Sequence, residues 1–343
     1  MAYNSDELLE VARLHYEEGW SQARIAEALS YSRPTIARML RAAEERHIVE
    51  KRVVPALEHG YLKYLEDELR ETFGLRDALL VPGRQEMLGG SLSAGTREAI
   101  LNDAMREAAR YLDRHLQAEE VLCLAWGRVI RGIAQHLRPS RLLARLRVVP
   151  MLGVLSVRPD WFEANSLVQE IAMAYGTERY YCLPCPAIVR DPSQKEATVR
   201  LPLVDESLEM IQRSTFVLTS IAPADAAEST LVKRALLDKA EVERLIARGA
   251  IGEICAWWFD EGGQAVPDER IYPIGLGLES LRRITQSGGQ VAAVVAADSG
   301  RLRPLAAALR GRLVNTLITD HVSALALLGR VQGPSPLEAQ GSG

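Results

Sequence analysis

Residues able to do chemistry gather in a few short stretches. In QARIAEALSYSRPTIARML (22–40) arginines alternate with small hydroxyl residues. Guanidinium groups can read base edges, while hydroxyls, amides and helix N-termini meet phosphate oxygens. Ser21, Gln22, Ser32 and Thr35 are therefore expected at phosphates, Arg33 and Arg38 at bases, and Arg41 on the same exposed side. Further along, Asp260 follows Trp257, Trp258 and Phe259 and precedes Glu261-Gly262-Gly263. That grouping suits a carboxylate accepting sugar hydroxyls beside an indole face, or equally a strand end running into a turn. Cys182-Leu183-Pro184-Cys185 has the spacing of a redox pair or half a zinc site, but no second pair or nearby histidines complete four ligands. It reads as ordinary packing, and no metal is assigned. Gly275-Leu276-Gly277-Leu278-Glu279-Ser280 imitates a dinucleotide fingerprint without its third glycine, so no cofactor is assigned. The histidines at 15, 47, 59, 115 and 136 form no catalytic spacing, His321 suits a surface turn as well as proton transfer, and no catalytic residue is assigned.

These side chains need elements to hold them. Ser5 is a candidate cap for a first helix with apolar positions Leu8, Leu9, Ala12 and Tyr16, ended by Gly19. Ser21 caps a second helix; Ser30-Tyr31 turns into a third, capped by Ser32 with Pro34 in its first turn. Ile25, Ala26, Leu29, Ile36 and Met39 fall where the second and third helices face one another. Such a pair joined by a tight turn can lay its second helix in a major groove. Between Tyr31 and Arg52 six basic residues (Arg33, Arg38, Arg41, Arg46, Lys51, Arg52) oppose three acidic ones, a local excess of +3 within a chain of net charge -4. Nucleic-acid contact must therefore be local. Leu57, Tyr61, Tyr64 or Leu65, Leu69 and Phe73 predict an amphipathic linker helix able to pair with a copy of itself.

Beyond residue 78, short apolar runs (LLVPG, VLCLAWG, LRVVPMLG, FVLTSIA, IYPIGLG, VAAVVAAD, VNTLITD) alternate with helical stretches such as 97–116, 163–175 and 302–309. That rhythm predicts βαβ units and a mostly parallel sheet. The fold class expected is α/β, an all-α helix-turn-helix domain at 1–55, a linker helix at 56–77, an α/β effector domain at 78–331, and a disordered Gly/Pro/Ser-rich tail at 332–343. Composition agrees, with 48% hydrophobic, 25% charged and 6% aromatic residues over 343 positions. Four scattered cysteines and the absence of a leader or spanning run point to a cytoplasmic protein with no membrane partner.

The segments LLEVARLHYEEGWSQARIAEALSYSRPTIARMLRAAEERHIV, LAWGRVIRGIA, VVPMLG, LPCPAIV, GAIGEICAWWFDEGG and ALRGRLVNTLITD, in that order, resemble the SorC/DeoR-type family of bacterial sugar-responsive transcriptional regulators. The resemblance covers nearly the whole chain. It implies a Rossmann-like effector domain of the sugar-phosphate isomerase and deaminase type, a sugar or sugar-phosphate-like effector, double-stranded operator DNA as partner, and a homo-oligomer, dimer or tetramer. It implies an effector site at Trp126, Gly127, Arg128, Val129, Ser220, Asp298 and Arg301 in addition to Asp260. The family's Ser-Trp-Gly-x-Thr is here Ala125-Trp126-Gly127-Arg128-Val129, its Gly-Ile-Gly is Ser220-Ile221-Ala222, and its Ala-Gly-Gly-x-x-Lys is Ala296-Ala297-Asp298-Ser299-Gly300-Arg301. Lost hydroxyls and glycines and an added Asp298 weaken a phosphate cradle. Two readings stay open: an unphosphorylated, cationic or polyhydroxylated effector or a weakly bound one, or an anion held by Arg128 and Arg301. The competing function is a sugar-phosphate isomerase or deaminase with an appended DNA-binding module.

Overall fold

In the computed structural model, which describes residues 3–16, 18–49, 59–84, 92–155 and 164–330, the described residues of the first unit, Met1–Ala56, form three helices. They are α1 (Ser5–Tyr16), α2 (Gln22–Ala28) and α3 (Arg33–Glu45). Serine capping fixes two of the starts: Ser21 Oγ accepts from Arg24 N at 3.2 Å, and Ser32 Oγ accepts from Thr35 N at 3.2 Å. At α1 the expectation shifts by one residue. Ser5 already lies in the helix, and Asn4 Oδ1 stands 3.4 Å from Asp6 N. Its buried side is Leu8, Val11 and Ala12, whereas Leu9 and Tyr16 face solvent, with Tyr16 Oη donating to Glu44 at 2.9 Å. The apolar set at i, i+3 and i+4 is the one that meets Ile25, Ala26, Ile36 and Met39 in one small core, with Leu29 partly buried beside it.

The second unit, Leu57–Gly343, opens with α4 (His59–Phe73), β1 (Asp77–Val81), α5 (Ala94–His115), β2 (Val121–Leu124), α6 (Arg128–His136), β3 (Arg147–Pro150) and α7 (Ala164–Ala174). It continues through β4 (Ile188–Val189), α8 (Pro192–Val199), α9 (Pro202–Gln212), β5 (Phe216–Thr219), β6 (Ala222–Pro223), α10 (Thr230–Lys233) and α11 (Lys239–Ala247). The chain ends its described course with β7 (Gly252–Ile254), β8 (Trp257–Phe259), β9 (Tyr272–Pro273), α12 (Leu278–Gln286), β10 (Gln290–Val294), α13 (Leu302–Arg310), β11 (Thr316–Asp320) and α14 (His321–Leu327).

Six strands form one sheet in the order β1-β11-β10-β5-β2-β3, every neighbour parallel. Every residue of β2, β5, β10 and β11 is buried. Since successive side chains point to opposite faces, both faces are covered. Six of the seven apolar runs become these strands. IYPIGLG does not: it supplies only β9, antiparallel to β4, and then the turn into α12. At Gly275, φ is +151°, and an added Cβ would lie 2.1 Å from Met151 O. The glycine-rich string therefore serves a backbone crossing. A third, antiparallel sheet orders β6-β7-β8.

Helix α4 buries Leu65 and Leu69 in the large core and leaves Tyr61 and Tyr64 exposed. Leu57, Lys51, Arg52 and the tail 332–343 lie outside the described residues. Among the described residues no helix is long and apolar enough to cross a membrane. The cysteines are free, Cys182 exposed and Cys185 buried.

Candidate functional site

In the first unit the buried row of α3 is Ile36, Met39, Leu40 and Ala43. Arg38 and Arg41, three residues apart, fall on the opposite side and are exposed, as are Ser32 and Arg33 in the first turn. Among the described residues no carboxylate pairs with Arg33, Arg38 or Arg41. Arg38 Nη2 instead donates to Thr35 Oγ1 at 3.3 Å, and Thr35 Oγ1 lies 2.8 Å from Ser32 Oγ. Thr35 is partly buried; Ser21 is exposed and Gln22 half-buried at the start of α2. The structure thus gathers Ser32, Arg33, Thr35, Arg38 and Arg41 on one helix and Ser21 and Gln22 at the start of the preceding one. An exposed helix bearing unpaired guanidinium groups is the shape and charge that a duplex groove accepts.

In the second unit, the chain leaves β2 through α6 toward β3 on one side and leaves β5 toward β10 on the other. Where adjacent parallel strands send their connections in opposite directions, a crevice opens beyond their carboxyl ends. A cavity of about 300 Å³ lies there. Arg128 and Val129 border it after β2, Ser220 after β5, and Asp298 and Arg301 after β10. Gly127 starts α6 with φ +103° and no side-chain cap, a conformation that L side chains rarely adopt. Trp126 and Gly127 form the turn leading into α6 and are not among the cavity's lining residues; Arg234 lies over the Trp126 ring at 5.8 Å.

Charges in this cavity are mostly paired. Arg301 Nε donates to Asp298 Oδ2 at 2.8 Å and its Nη1 donates to the Ile221 carbonyl. Asp298 also accepts from Gly300 N at 3.1 Å. Arg128 Nη1 meets Glu98 Oε2 at 3.1 Å. Arg97, which also lines the cavity and is exposed, has no carboxylate partner among the described residues. Ser220 Oγ donates to the Val294 carbonyl at 3.0 Å, so that proton is committed to the sheet.

Several contributors were not visible in the sequence. Arg97 and Glu98 come from the first turn of α5, where the only local signal is Ser93, whose Oγ caps Thr96 N at 3.1 Å. Ala297, at φ +56°, lines the cavity and donates its amide to Asp320 Oδ2 at 3.0 Å. Asp320 is fully buried and also accepts from Val322 N, Ser323 N and Ser323 Oγ. His321, expected in a surface turn, is 8% exposed, and its Nδ1 accepts from Gly83 N at 2.8 Å. Burial holds its pKa below the usual histidine range.

The strand-and-turn reading of Asp260 matches its geometry: its Oδ1 accepts from Gly262 N at 2.9 Å and Gln264 N at 2.8 Å, and it does not line the cavity. Besides Asp298, an acid that feels the charge of Arg301 is Glu253 on β7. Burial pushes its pKa up to about 6, Arg301 pulls the other way, and Oε2 accepts from Ala256 N at 2.6 Å. The turn between β7 and β8 is made by Cys255 and Ala256, both left-handed. Among the described residues no group of three or more histidine, cysteine, aspartate or glutamate side chains could hold a metal.

Against known proteins, residues 60–329 match the family described as "Putative sugar-binding domain". The chain is 29% identical over 325 residues to the deoxyribonucleoside regulator of Bacillus subtilis (strain 168), covering 93% of this chain and 96% of that one. It is 26% identical over 337 residues to the sorbitol operon regulator of Klebsiella pneumoniae, covering 95% and 99%. The crystal structure of the full-length sorbitol operon regulator from Klebsiella pneumoniae shares the fold, with a TM-score of 0.75 at 23% identity over 96% of this chain and 100% of the other.

Proposed function

Because the chain belongs to the SorC/DeoR-type family of sugar-binding transcriptional regulators, we propose that it is a DNA-binding regulator controlled by a small metabolite, with α3 as the helix that enters the operator's major groove. The observation that carries this reading is the solvent side of α3, where Arg33, Arg38 and Arg41 stand without carboxylate partners among the described residues. Ser21, Gln22, Ser32 and Thr35 would meet phosphates and fix the register.

The cavity beyond β2, β5 and β10 is the proposed effector site. Three arginines and two carboxylates line it, and the two carboxylates each hold one arginine. The pairing of Asp298 with Arg301 removes the repulsion that Asp298 alone would offer an anion. The remaining cation is Arg97, which supports an effector that is polyhydroxylated and carries negative charge, a sugar phosphate or sugar acid. Trp126 and Gly127 would act by shaping the start of α6, and Asp260 by closing its own turn. Control follows if the effector has different affinities for two arrangements of a homo-oligomer, because only that difference can change how paired modules meet half-sites about 34 Å apart. We place this activity in the cytoplasm.

Binding without turnover is the reading adopted, since Glu98 and Asp298 are committed to ion pairs and proton transfer needs a free, positioned acid and base. The test selects duplexes from a randomised library with the purified full chain, then repeats binding with sugar phosphates, sugar acids and neutral sugars. A preferred duplex whose affinity changes with one of them is expected. No preference over competitor DNA at moderate ionic strength would refute the proposal, and aldose–ketose interconversion abolished by Glu253→Gln would replace it with an enzyme.

A further inference from the structure

A second recess lies elsewhere in the same unit, between α8, α11, β8 and β9. It measures about 210 Å³, and its lining includes Lys195, Leu245, Trp257, Trp258, Asp268 and Tyr272. None of these residues borders the cavity beyond β2 and β5. Three observations set its chemistry. First, the indole nitrogens of Trp257 and Trp258 are both buried, and neither finds an acceptor. Trp258 as a whole is 4% exposed. Buried donors are normally satisfied, and both of these orphan donors belong to residues that line the recess.

Second, the Lys195 ammonium has no ion-pair partner among the described residues and lies 5.4 Å from the centre of the Trp257 ring. Burial holds its pKa below the ordinary lysine value. Third, the acid in the lining is already satisfied. Asp268 is 6% exposed, takes Arg244 Nε at 3.2 Å and Arg270 N at 2.9 Å, and lies 3.7 Å from Arg248 Nη1. With that carboxylate neutralised, the ionised and indole groups still unmatched are all donors, and the walls between them are apolar.

We infer that this recess is a binding site for a small carboxylate with an apolar body, its carboxylate taken by Lys195 and by an indole N–H, its body laid against the tryptophan rings and Leu245. The volume lies below the usual range for drug-sized ligands, so the ligand class is that of short-chain or single-ring monocarboxylates. The site shares no lining residue with the effector cavity.

The test is calorimetry and tryptophan fluorescence on the full chain without DNA, using benzoate and hexanoate, with benzyl alcohol and hexanol as uncharged counterparts. Saturable binding of at least one carboxylate is expected, stronger than its alcohol. Lys195→Met should weaken that carboxylate by at least about tenfold and leave the alcohol unchanged, as loss of one charge-assisted contact requires. Trp258→Phe, which keeps a ring and removes the N–H, should weaken it several-fold. Arg97→Ala should change neither, which separates this site from the proposed effector cavity. Absence of saturable binding by both carboxylates up to about 10 mM, or binding indifferent to Lys195→Met, would overturn the inference.

Discussion

The carboxylate of Asp320, at the end of β11, accepts the amide of Ala297 at 3.0 Å from the far side of the cavity wall. The same group accepts from Val322 N at 3.0 Å, Ser323 N at 2.9 Å and Ser323 Oγ at 2.7 Å. One buried acid therefore both starts α14 and holds the left-handed residue that lines the proposed effector site. Asp320→Ala strands three amides and should cost about 2–4 kcal/mol of unfolding free energy, read by denaturant titration. Asp320→Asn keeps one acceptor oxygen and should cost less. An alanine variant as stable as the parent would show that the wall does not depend on this acid.

Removing Arg38 takes a guanidinium from the centre of the exposed face of α3. Arg38→Ala should weaken binding to the selected duplex by about 1–3 kcal/mol and relax sequence choice. Arg41→Ala, if Arg41 meets phosphate, should weaken all duplexes alike and reduce the salt slope by about one. Quantitative gel shifts at several salt concentrations distinguish the two patterns.

Among the described residues, Arg97 is the cation of the cavity with no carboxylate partner. Arg97→Ala should lower affinity for an anionic effector by about tenfold while leaving duplex affinity without effector unchanged. Equal loss for a neutral sugar would indicate a packing role instead. Calorimetry with a matched pair, one charged and one neutral, reads the difference.

Glu253 has its folded-state pKa raised from 4.5 to about 6, chiefly by burial. A carboxyl group raised in this way favours its protonated form in the fold. Its contribution is complete below 4.5 and disappears as pH climbs past 6. The parent should therefore lose about 1–2 kcal/mol relative to Glu253→Gln between those limits. Denaturation midpoints of both proteins across that range provide the check, and parallel curves would show that Glu253 titrates as it does in the unfolded chain.

How far the sequence disclosed all this depended on the range of the forces involved. Serine caps act within three residues, so α2 and α3 begin where Ser21 and Ser32 predicted. Continuous apolar runs of β2, β5 and β10 marked strands buried on both faces. The α1 cap and stripe went astray because Leu8, Leu9 and Val11 are equally apolar, and only packing against α3 selects among them. At the cavity, Arg128, Ser220, Asp298 and Arg301 follow strand ends, and the resemblance supplied those positions. Arg97 is brought there by a crossover spanning many residues, which no local pattern encodes. Asp260 lay close in sequence to the aromatic run, yet its carboxylate is consumed by the amides of Gly262 and Gln264.

In the β7–β8 hairpin, Glu253 stands directly opposite Trp258 in the antiparallel register. The strand bearing an acid whose ionised form Arg301 favours is thus zipped to the strand that floors the tryptophan recess. Through this hairpin the recess is joined to an acid that feels the charge of Arg301, and Arg301 borders the effector cavity. If a molecule in either compartment changes affinity in the other, the reverse change must be equal, and a sugar-type signal and an apolar acid would then be read by this protein as one combined message.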